Sequence, residues 1–301
     1  MRISKYQGLG NDFLATSEKD FEDVGIEFTK ENVIDIAIKA CDRKFGIGAD
    51  SLVILVDPSK DRKVFERLIS NETADCGMYL INQDGSMADM SGNGIRCFAA
   101  YAYEQGYGSV DKKKVTVKIA TLAGMKTVSF LPEKSGGFLG KVNMGKPIFE
   151  PLLIPVNCGT STLKIEVLGK QRISYAVNTS IPHWVIVLDS KEELNNEDLS
   201  TIGEKLRFDS RFPENTNVNF VYVENTSLVY GRTIERGVGE TLACGTGITA
   251  MVATLHNEDI VNEVCEVSVK GGSAKVEIDR KKDTAFLYGP MKKIADTNFT
   301  V

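Results

Sequence analysis

The stretch Cys244-Gly-Thr-Gly-Ile-Thr-Ala-Met-Val-Ala253 predicts a glycine-rich turn that enters a buried helix. Its two glycines allow the tight backbone of such a turn. The apolar residues that follow recur at helical spacing, which gives the helix a face that packs inward: Ile248, Met251, Val252 and Leu255. Cys244 falls at the first turn, where free N–H groups and the positive end of the helix dipole stabilise an anion. We therefore predict that the pKa of this thiol is lowered from about 8.5 to roughly 3.5–7.5, so that it acts as a base or nucleophile near neutral pH.

An earlier stretch, Ser91-Gly-Asn-Gly-Ile-Arg-Cys-Phe-Ala-Ala100, aligns with this one without gaps. Both glycines, the isoleucine and the final alanine match, and Ser91 occupies the position of Cys244. A repeated turn and helix predicts two similar domains that meet at one site. The alternative is chance, because small residues and glycines are common at helix starts.

The rest of the chain is dominated by patterns typical of short strands. At about 150 residues per domain, 301 residues predict two domains. Many strands with one buried helix in each half favour mixed α+β domains over a βαβ array, and a polar, glycine-rich break at 133–137 separates the halves. We predict helices at 29–44 and 196–206, and strands at 51–56, 77–82, 115–120, 126–131, 163–167, 174–178, 183–188, 217–223, 227–235, 264–269, 274–278 and 285–288.

The composition excludes several classes of function. A net charge of -5 argues against nucleic acid as the main partner. No apolar run approaches the length of about 20 residues that a membrane span needs, so no membrane partner is expected. The N-terminal sequence lacks the apolar core of a signal peptide, which predicts a cytoplasmic protein with free thiols. The six cysteines form no CxxC pair, which argues against zinc.

The sequence resembles the diaminopimelate epimerase family in segments that follow one another along nearly the whole chain. The matching segments are Gly8-Leu-Gly-Asn-Asp-Phe13, Asn82-Gln-Asp-Gly-Ser86, Gly92-Asn-Gly-Ile-Arg-Cys97, Val142-Asn-Met-Gly145, Pro182-His183, Arg211-Phe-Pro213, Asn217, and Glu235-Arg-Gly through Ala243-Cys-Gly-Thr-Gly247.

The resemblance implies two pseudo-symmetric domains, each a curved mixed or antiparallel sheet wrapped around a central helix, with the ligand in the cleft. Residues 1–140 and 290–301 would form the first domain, and 141–289 the second. It also implies an isomerase that needs no pyridoxal phosphate or other cofactor and that acts on a small amino acid. The leading expectation is the conversion of LL-diaminopimelate to the meso form for lysine and peptidoglycan synthesis, by a homodimer.

The resemblance assigns roles to residues of this sequence. Cys244 would serve one face of the α-carbon, with position 91 serving the other, while backbone N–H groups would stabilise the developing charge at the substrate carboxylate. These N–H groups belong to Gly92, Asn93, Gly245 and Thr246. Three asparagines would hydrogen-bond the substrate, unless they are turn residues only: Asn11, Asn82 and Asn217.

The resemblance assigns roles to three further residues, and each of them also has an ordinary structural explanation. Glu235 and Arg236 would grip the far zwitterionic end of the amino acid, or they form a surface ion pair. His183 would help to position a catalytic cysteine, or it is a satisfied core histidine.

Ser91 departs from the family, which has a second catalytic cysteine there. An alcohol is a far poorer base than a thiolate. Three accounts stay open: slow inversion with Ser91 as a weak acid or relay, one-base chemistry at Cys244 that exchanges or eliminates without inversion, or an engineered serine. Cys97 lies too far along the helix to take over.

The substrate pocket departs as well. Ser180 and Ile181 replace the usual Gly-Asn before Pro182, and Ser51 stands at the position of a frequent polar ligand. Because a site built around polar contacts discriminates strongly through them, the substrate could be a different amino acid. A racemase or lyase of the same fold, and an amino-acid binder that has lost catalysis, are therefore the alternatives to the epimerase.

Overall fold

The computed structural model describes residues 1–59, 68, 73–132 and 137–300. The chain forms two compact units. Unit 1 comprises Met1–Val142 and Gly289–Val301, and unit 2 comprises Asn143–Tyr288. The chain enters unit 2 within one strand and returns to unit 1 within another. Most of the expected break at 133–137 lies outside the described residues.

Among the residues that the structure describes, unit 1 contains three helices and nine strands, with part of a further strand from the chain's return. The helices are α1 (Glu18–Glu22), α2 (Lys30–Cys41) and α3 (Gly92–Glu104). The strands are β1 (Arg2–Gly8), β2 (Asn11–Ser17), β3 (Ser51–Val56), β4 (Cys76–Asn82), β5 (Met87–Ala88), β6 (Ser109–Asp111), β7 (Lys114–Thr121), β8 (Gly124–Pro132) and β9 (Gly137–Gly145), which leads into unit 2.

Unit 2 repeats this inventory. Its helices are α4 (Lys191–Leu194), α5 (Asp198–Leu206) and α6 (Gly245–Asn257), with one 3₁₀ turn at Pro151–Leu153. Its strands are β10 (Thr162–Val167), β11 (Lys170–Asn178), β12 (Pro182–Leu188), β13 (Asn217–Asn225), β14 (Leu228–Glu235), β15 (Gly239–Thr241), β16 (Val264–Val269), β17 (Gly272–Asp279) and β18 (Thr284–Asn298), which returns to unit 1.

The two sheets have the same order of strands. In unit 1, β1 runs antiparallel to β2, β2 parallel to β3, β3 antiparallel to β4, β4 parallel to β7, and β7 antiparallel to β8. In unit 2, β11, β12, β13, β14, β16 and β17 repeat this series of antiparallel and parallel pairings. A short hairpin strand precedes the long helix in each unit, β5 on β4 and β15 on β14. The expected α+β fold with two pseudo-symmetric mixed sheets is confirmed.

Each sheet encloses one long helix. Helix α3 contacts strands β1, β2, β3, β4, β7 and β8, and α6 contacts β11, β12, β13, β14, β16 and β17. Every residue of α3 from Gly92 to Ala102 is buried, and all but Thr246 are buried from Gly245 to His256 in α6. The sequence analysis expected one inward face, but strands of the same unit cover these helices on nearly all sides.

Shorter helices cover the outer face of each sheet. The parallel crossover from β2 to β3 carries α1 and α2, and the crossover from β12 to β13 carries α4 and α5. In α2, the buried residues recur at helical spacing and pack on the sheet: Val33, Ile36, Ala37 and Ala40. Thr29 caps this helix through its side chain.

Several sequence-based bounds differ from the structure, and two of the differences have a clear physical cause. The helix predicted at 29–44 ends at Cys41, because the N–H groups of Ile47 and Gly48 fold back onto the Ala40 carbonyl. The strand predicted at 285–288 is part of a 15-residue strand, β18. Its first half pairs with β17 and its second half with β1, so pairing in both units extends it beyond its apolar stretch.

Candidate active site

The first candidate site is the N-terminus of α3 in unit 1. Ser91 is the N-cap residue, with an extended backbone at φ -133° and ψ 127°. Its hydroxyl accepts a hydrogen bond from the Gly94 N–H at 3.1 Å, and its carbonyl accepts one from Ile95 at 2.8 Å. Helix geometry leaves the N–H groups of Gly92 and Asn93 without an intrahelical acceptor. They form a ready binding site for an anion.

The second candidate site is the N-terminus of α6 in unit 2. Cys244 is the N-cap residue, at φ -121° and ψ 114°. Its Sγ accepts a hydrogen bond from the Gly247 N–H at 3.4 Å and lies 3.3 Å from Thr246 Oγ1. The N–H groups of Gly245 and Thr246 are the free donors of this helix. The two stretches that align in sequence therefore form the same cap, with a hydroxyl in one unit and a thiol in the other.

The predicted low pKa of Cys244 is wrong for this structure. The thiol is only 5% exposed, and burial raises its pKa well above the ordinary value. The negative charge of Glu235 raises the pKa further, whereas the hydrogen bonds from Thr246 and Gly247 lower it. Helix-terminus reasoning captured only these last two contributions. In the protein without ligand, the thiol is therefore protonated at neutral pH.

Glu235 lies against the Cys244 thiol, at the end of β14. Its carboxylate hydrogen-bonds the thiol, and its Oε1 accepts a hydrogen bond from Thr241 Oγ1 at 2.7 Å. Arg236 faces elsewhere, with its guanidinium donating to the Glu214 carbonyl at 2.9 Å. The Glu235 carboxylate thus lies beside the Cys244 thiol, and its expected grip on the far end of the substrate stays a prediction. A carboxylate beside a thiol can accept its proton.

The N-terminus of α3 has a cation in place of a carboxylate. Arg96 is fully buried, and its guanidinium donates to the Gly92 carbonyl at 3.0 Å and to Asn93 Oδ1 at 2.7 Å. Asn93 Nδ2 in turn donates to Asn11 Oδ1 at 2.5 Å. The side chains of Asn11 and Asn93 thus bond to each other, and Asn93 can offer a ligand its backbone N–H. The sequence analysis did not single out Arg96.

Two further residues expected to bind substrate differ in whether their side-chain amides have hydrogen-bond partners within the protein. Asn82 occupies the β4–β5 turn, where its side chain accepts from Ser51 Oγ at 3.1 Å and donates to Ser86 Oγ at 3.0 Å. Asn217 accepts a hydrogen bond from the Arg236 N–H at 2.8 Å, but its buried Nδ2 has no acceptor among the described residues. Asn217 therefore keeps a donor that a ligand can use.

His183 lies on β12, directly beside Asn217 on β13. The ring is fully buried, and burial lowers its pKa to about 3. Its Nδ1 lies 3.0 Å from Asn219 Nδ2, whereas no partner for Nε2 is found in the part of the chain that the structure describes. The imidazole is therefore neutral and has one unused nitrogen. The sequence analysis missed Asn219, although the Asn-Val-Asn spacing of a strand places Asn217 and Asn219 on one face.

The segment before β12 adjoins the start of α6. Thr179 Oγ1 donates to the Thr246 carbonyl at 3.0 Å. Ser180 has a φ of 87°, in the region that glycine tolerates best, and Ile181 is half-buried. Thr179 thus contacts the first turn of α6. The two residues that depart from the family pattern, Ser180 and Ile181, follow it directly in the chain. Cys97 is buried within α3, and burial raises its pKa to about 12.

Each unit thus contains a buried helix that a mixed sheet surrounds and that a proton-bearing side chain caps. Several solved structures share the fold. A hydroxyproline epimerase from Agrobacterium vitis, bound to trans-4-hydroxy-L-proline, has a TM-score of 0.66 and 14% identity, covering 99% of this chain and 91% of that one. A methylitaconate-delta-isomerase has a TM-score of 0.63 and 12% identity, covering 100% and 95%.

The chain belongs to the diaminopimelate epimerase family, which matches residues 3–150 and 175–294. A diaminopimelate epimerase from Caldanaerobacter subterraneus subsp. tengcongensis is 37% identical over 297 residues, covering 98% of this chain and 97% of that protein. One from Archaeoglobus fulgidus is 36% identical over 299 residues, covering 98% and 96%. No helix in the described ranges is long and apolar enough to cross a membrane.

Proposed function

We propose that this protein interconverts LL- and meso-diaminopimelate, and so serves lysine and peptidoglycan synthesis, with Cys244 as the group that exchanges the α-proton on one face. The relatives named diaminopimelate epimerase support this substrate. The observation that carries the mechanism is the Cys244 cap, because it places a thiol, a carboxylate and two free N–H donors at one helix start.

The first step moves two protons at Cys244. The thiol passes its proton to the Glu235 carboxylate, and the resulting thiolate takes the α-proton of the substrate. The electron pair of the broken C–H bond delocalises onto the substrate carboxylate. Helix N–H donors stabilise that charge without any electron sink from a cofactor.

The second step returns a proton on the opposite face, where Ser91 takes the place of the family cysteine. The Ser91 hydroxyl donates this proton itself or relays it from a water molecule. Solvent then returns a proton to the oxygen that gave one up, and Glu235 releases the proton that it took from Cys244, so the protein ends in its starting state. At neutral pH the Ser91 hydroxyl keeps its proton, so it can donate a proton but has no alkoxide to act as a base. The high ordinary pKa of an alcohol also makes it a weaker acid than a thiol. The proposal therefore predicts slower inversion than in an enzyme with two cysteines.

The serine also supports a second candidate, which is one-base chemistry at Cys244. In that case the α-proton exchanges with solvent, or a neighbouring group is eliminated, and the configuration does not invert. A different amino acid as substrate is a related candidate, supported by Ile181 at the position of the family asparagine.

The deciding experiment follows the purified protein with LL-diaminopimelate in deuterated water by proton NMR, with chiral analysis of the product. We expect the α-proton signal to decay and the meso isomer to form. Decay without inversion would support the one-base candidate. A silent wild type that becomes active as Ser91→Cys would identify the serine as the lesion, whereas continued silence would direct the search to other amino acids. Cys244→Ala is the matched control, which should bind but not exchange.

A further inference from the structure

A buried polar chain runs beneath the start of α6 and ends at His183. Asn219 Nδ2 lies 3.0 Å from His183 Nδ1 and 3.4 Å from the Trp184 carbonyl oxygen. On its other side, Asn219 Oδ1 accepts a hydrogen bond from Thr233 Oγ1 at 3.0 Å. All of these side chains are at most 3% exposed. A Cβ on Gly247 would lie 2.6 Å from Asn219 Oδ1, so the Asn219 amide packs closely against Gly247. Gly247 is the residue whose N–H donates to the Cys244 thiol.

The Trp184 carbonyl fixes the orientation of the Asn219 amide. A carbonyl oxygen can only accept hydrogen bonds, so the amide NH₂ has to point toward it. The same NH₂ then donates to His183 Nδ1, which must carry a lone pair. A neutral imidazole with a lone pair on Nδ1 carries its proton on Nε2.

We propose that Asn219 is a positioning residue that locks His183 in its Nε2–H tautomer, so that the ring offers the active site a neutral N–H donor. The functional part of this inference rests on the proposed function, and the tautomer itself does not. Nε2 is the buried nitrogen without a partner in the described ranges. A donor of this kind can hydrogen-bond a carboxylate or another acceptor of a bound ligand.

The surroundings of the ring keep it neutral. Burial opposes protonation, and so does the positive charge of Arg236. The group that contacts Nδ1 is an amide that cannot take up a proton. With its Nδ1 lone pair engaged by Asn219 and its proton on Nε2, the His183 ring offers a ligand a donor and no free acceptor. Its contribution is a hydrogen bond whose donor is already oriented before the ligand arrives.

The second histidine of the chain is a built-in reference. His256 Nδ1 lies 3.1 Å from the Val261 carbonyl, and its Nε2 accepts a hydrogen bond from Arg280 Nε at 2.9 Å. The same reasoning assigns His256 the opposite tautomer, with its proton on Nδ1. One protein should thus display both neutral forms of histidine.

The tautomers can be read directly from a long-range ¹H–¹⁵N correlation spectrum of the uniformly labelled protein, with His256→Gln assigning the two rings. We expect His183 to show a protonated Nε2 and a bare Nδ1 throughout the range from about pH 5 to about pH 8. A proton on His183 Nδ1, or a doubly protonated ring in this range, would overturn the proposal.

Two isosteric variants test the role of Asn219. In Asn219→Asp, the carboxylate accepts a hydrogen bond from a proton on His183 Nδ1. The ring should then lose its Nε2 proton as the pH rises, within the same pH range in which the wild-type ring does not titrate. Thr233→Val is the matched control, because it removes one hydrogen bond to Asn219 but leaves the amide facing Nδ1. Its His183 signals should match those of wild type. An altered tautomer in Thr233→Val would mean that general disruption, and not the amide, sets the proton.

The rate of α-proton exchange links the tautomer to function. Above the new titration of His183, Asn219→Asp should lower the maximal exchange rate by about a hundredfold, as expected when an oriented donor is lost. Thr233→Val should keep a wild-type pH profile. If Asn219→Asp changes the tautomer of His183 but leaves the exchange rate independent of pH, the proposed role of the His183 N–H donor in the reaction is wrong. Absence of exchange in wild type would count against the proposed function, and the NMR result would still decide the tautomer.

Discussion

The starts of α3 and α6 share a backbone and differ in chemistry. Both helices are 13 residues long, and the caps accept a hydrogen bond from the third helical residue with φ angles of -133° and -121°. Beneath the first cap lies the cation Arg96, whose hydrogen-bond partners in the described part of the chain are the Gly92 carbonyl and the Asn93 amide oxygen. Beside the second lies the anion Glu235. The two helix starts thus share a site for an anion and differ in the charge that lies beside it.

The comparison shows that the protonation state of an N-cap residue depends on burial and neighbouring charges as well as on the helix N-terminus. The free N–H groups are equivalent in the two units, but Cys244 is buried beside a carboxylate, and Ser91 is half-exposed above a guanidinium. The first environment favours a neutral acid at rest. The second would favour a thiolate if a cysteine stood at position 91.

The largest effect is expected when the two caps are made identical by Cys244→Ser. Serine is a good N-cap, so the fold should persist. An alcohol beside Glu235 cannot provide a usable base, and the rate of α-proton exchange should fall by about 10³- to 10⁴-fold. Proton NMR in deuterated water measures this rate, with the unfolding temperature as the check on folding. Exchange at the wild-type rate would mean that Cys244 is not the base.

The converse change, Ser91→Cys, should give each helix a thiol. We expect inversion to accelerate by about a hundredfold, because a thiol near Arg96 can serve as base or acid. Chiral chromatography of timed samples follows the inversion. Ser91→Ala is the control, and it should slow inversion if the hydroxyl acts at all. Equal rates for serine and alanine would exclude a role for the hydroxyl.

Two glycines test how firmly each central helix is held. A Cβ at Gly289 would lie 2.5 Å from Arg96 Nη2, and one at Gly231 would lie 2.4 Å from Met251 Sδ. Met251 can move aside, whereas the Arg96 guanidinium is fixed by hydrogen bonds. Gly289→Ala should lower the free energy of unfolding by about 2 kcal/mol and Gly231→Ala by about 1 kcal/mol. Urea denaturation compares them, and the reverse order would contradict a rigid Arg96.

Glu235→Gln should weaken the electrostatic contrast between the caps. Loss of the negative charge lowers the pKa of Cys244, while loss of the proton acceptor slows exchange by about tenfold. The rate of thiol alkylation against pH, measured with Cys158→Ser because Cys158 is the exposed cysteine, should shift to lower pH. An unchanged profile would show that the carboxylate does not act on the thiol.

The smallest effect concerns the turn that adjoins α6 and has no counterpart of the same sequence in unit 1. Ser180 adopts a φ of 87°. Ser180→Gly should therefore stabilise the protein by about 1 kcal/mol through relief of backbone strain. Thermal unfolding measures it, with Ser180→Ala as the control that keeps the strain. A stabilisation shared by both variants would point to the hydroxyl and not to the backbone.

Periodicity and glycine patterns were sufficient to predict most of the longer strands, the two central helices and the caps, whereas the short elements α1, α4, β5, β6 and β15 were missed. These features depend on residues close together in sequence. The pKa of Cys244 and the contacts of Glu235 were not predictable in this way, because they depend on burial and on strands that pair across the sheet. Arg96 was missed for a related reason: only the enclosing sheet turns an ordinary helical arginine into a buried cation. The tautomer of His183 likewise required the position of the Trp184 carbonyl.

The long strand β18 has a consequence for synthesis on the ribosome. Its second half supplies the partner of β1, with Arg2 opposite Asn298. All other strands of unit 2 and the first half of β18 precede that segment in the chain. During translation, unit 2 therefore has its complete sheet available first, while β1 stays without its β18 neighbour until the segment Lys292–Asn298 emerges. The unit whose strands are made first is thus the last to close, which makes it the part of the nascent chain most in need of protection from strand-to-strand aggregation.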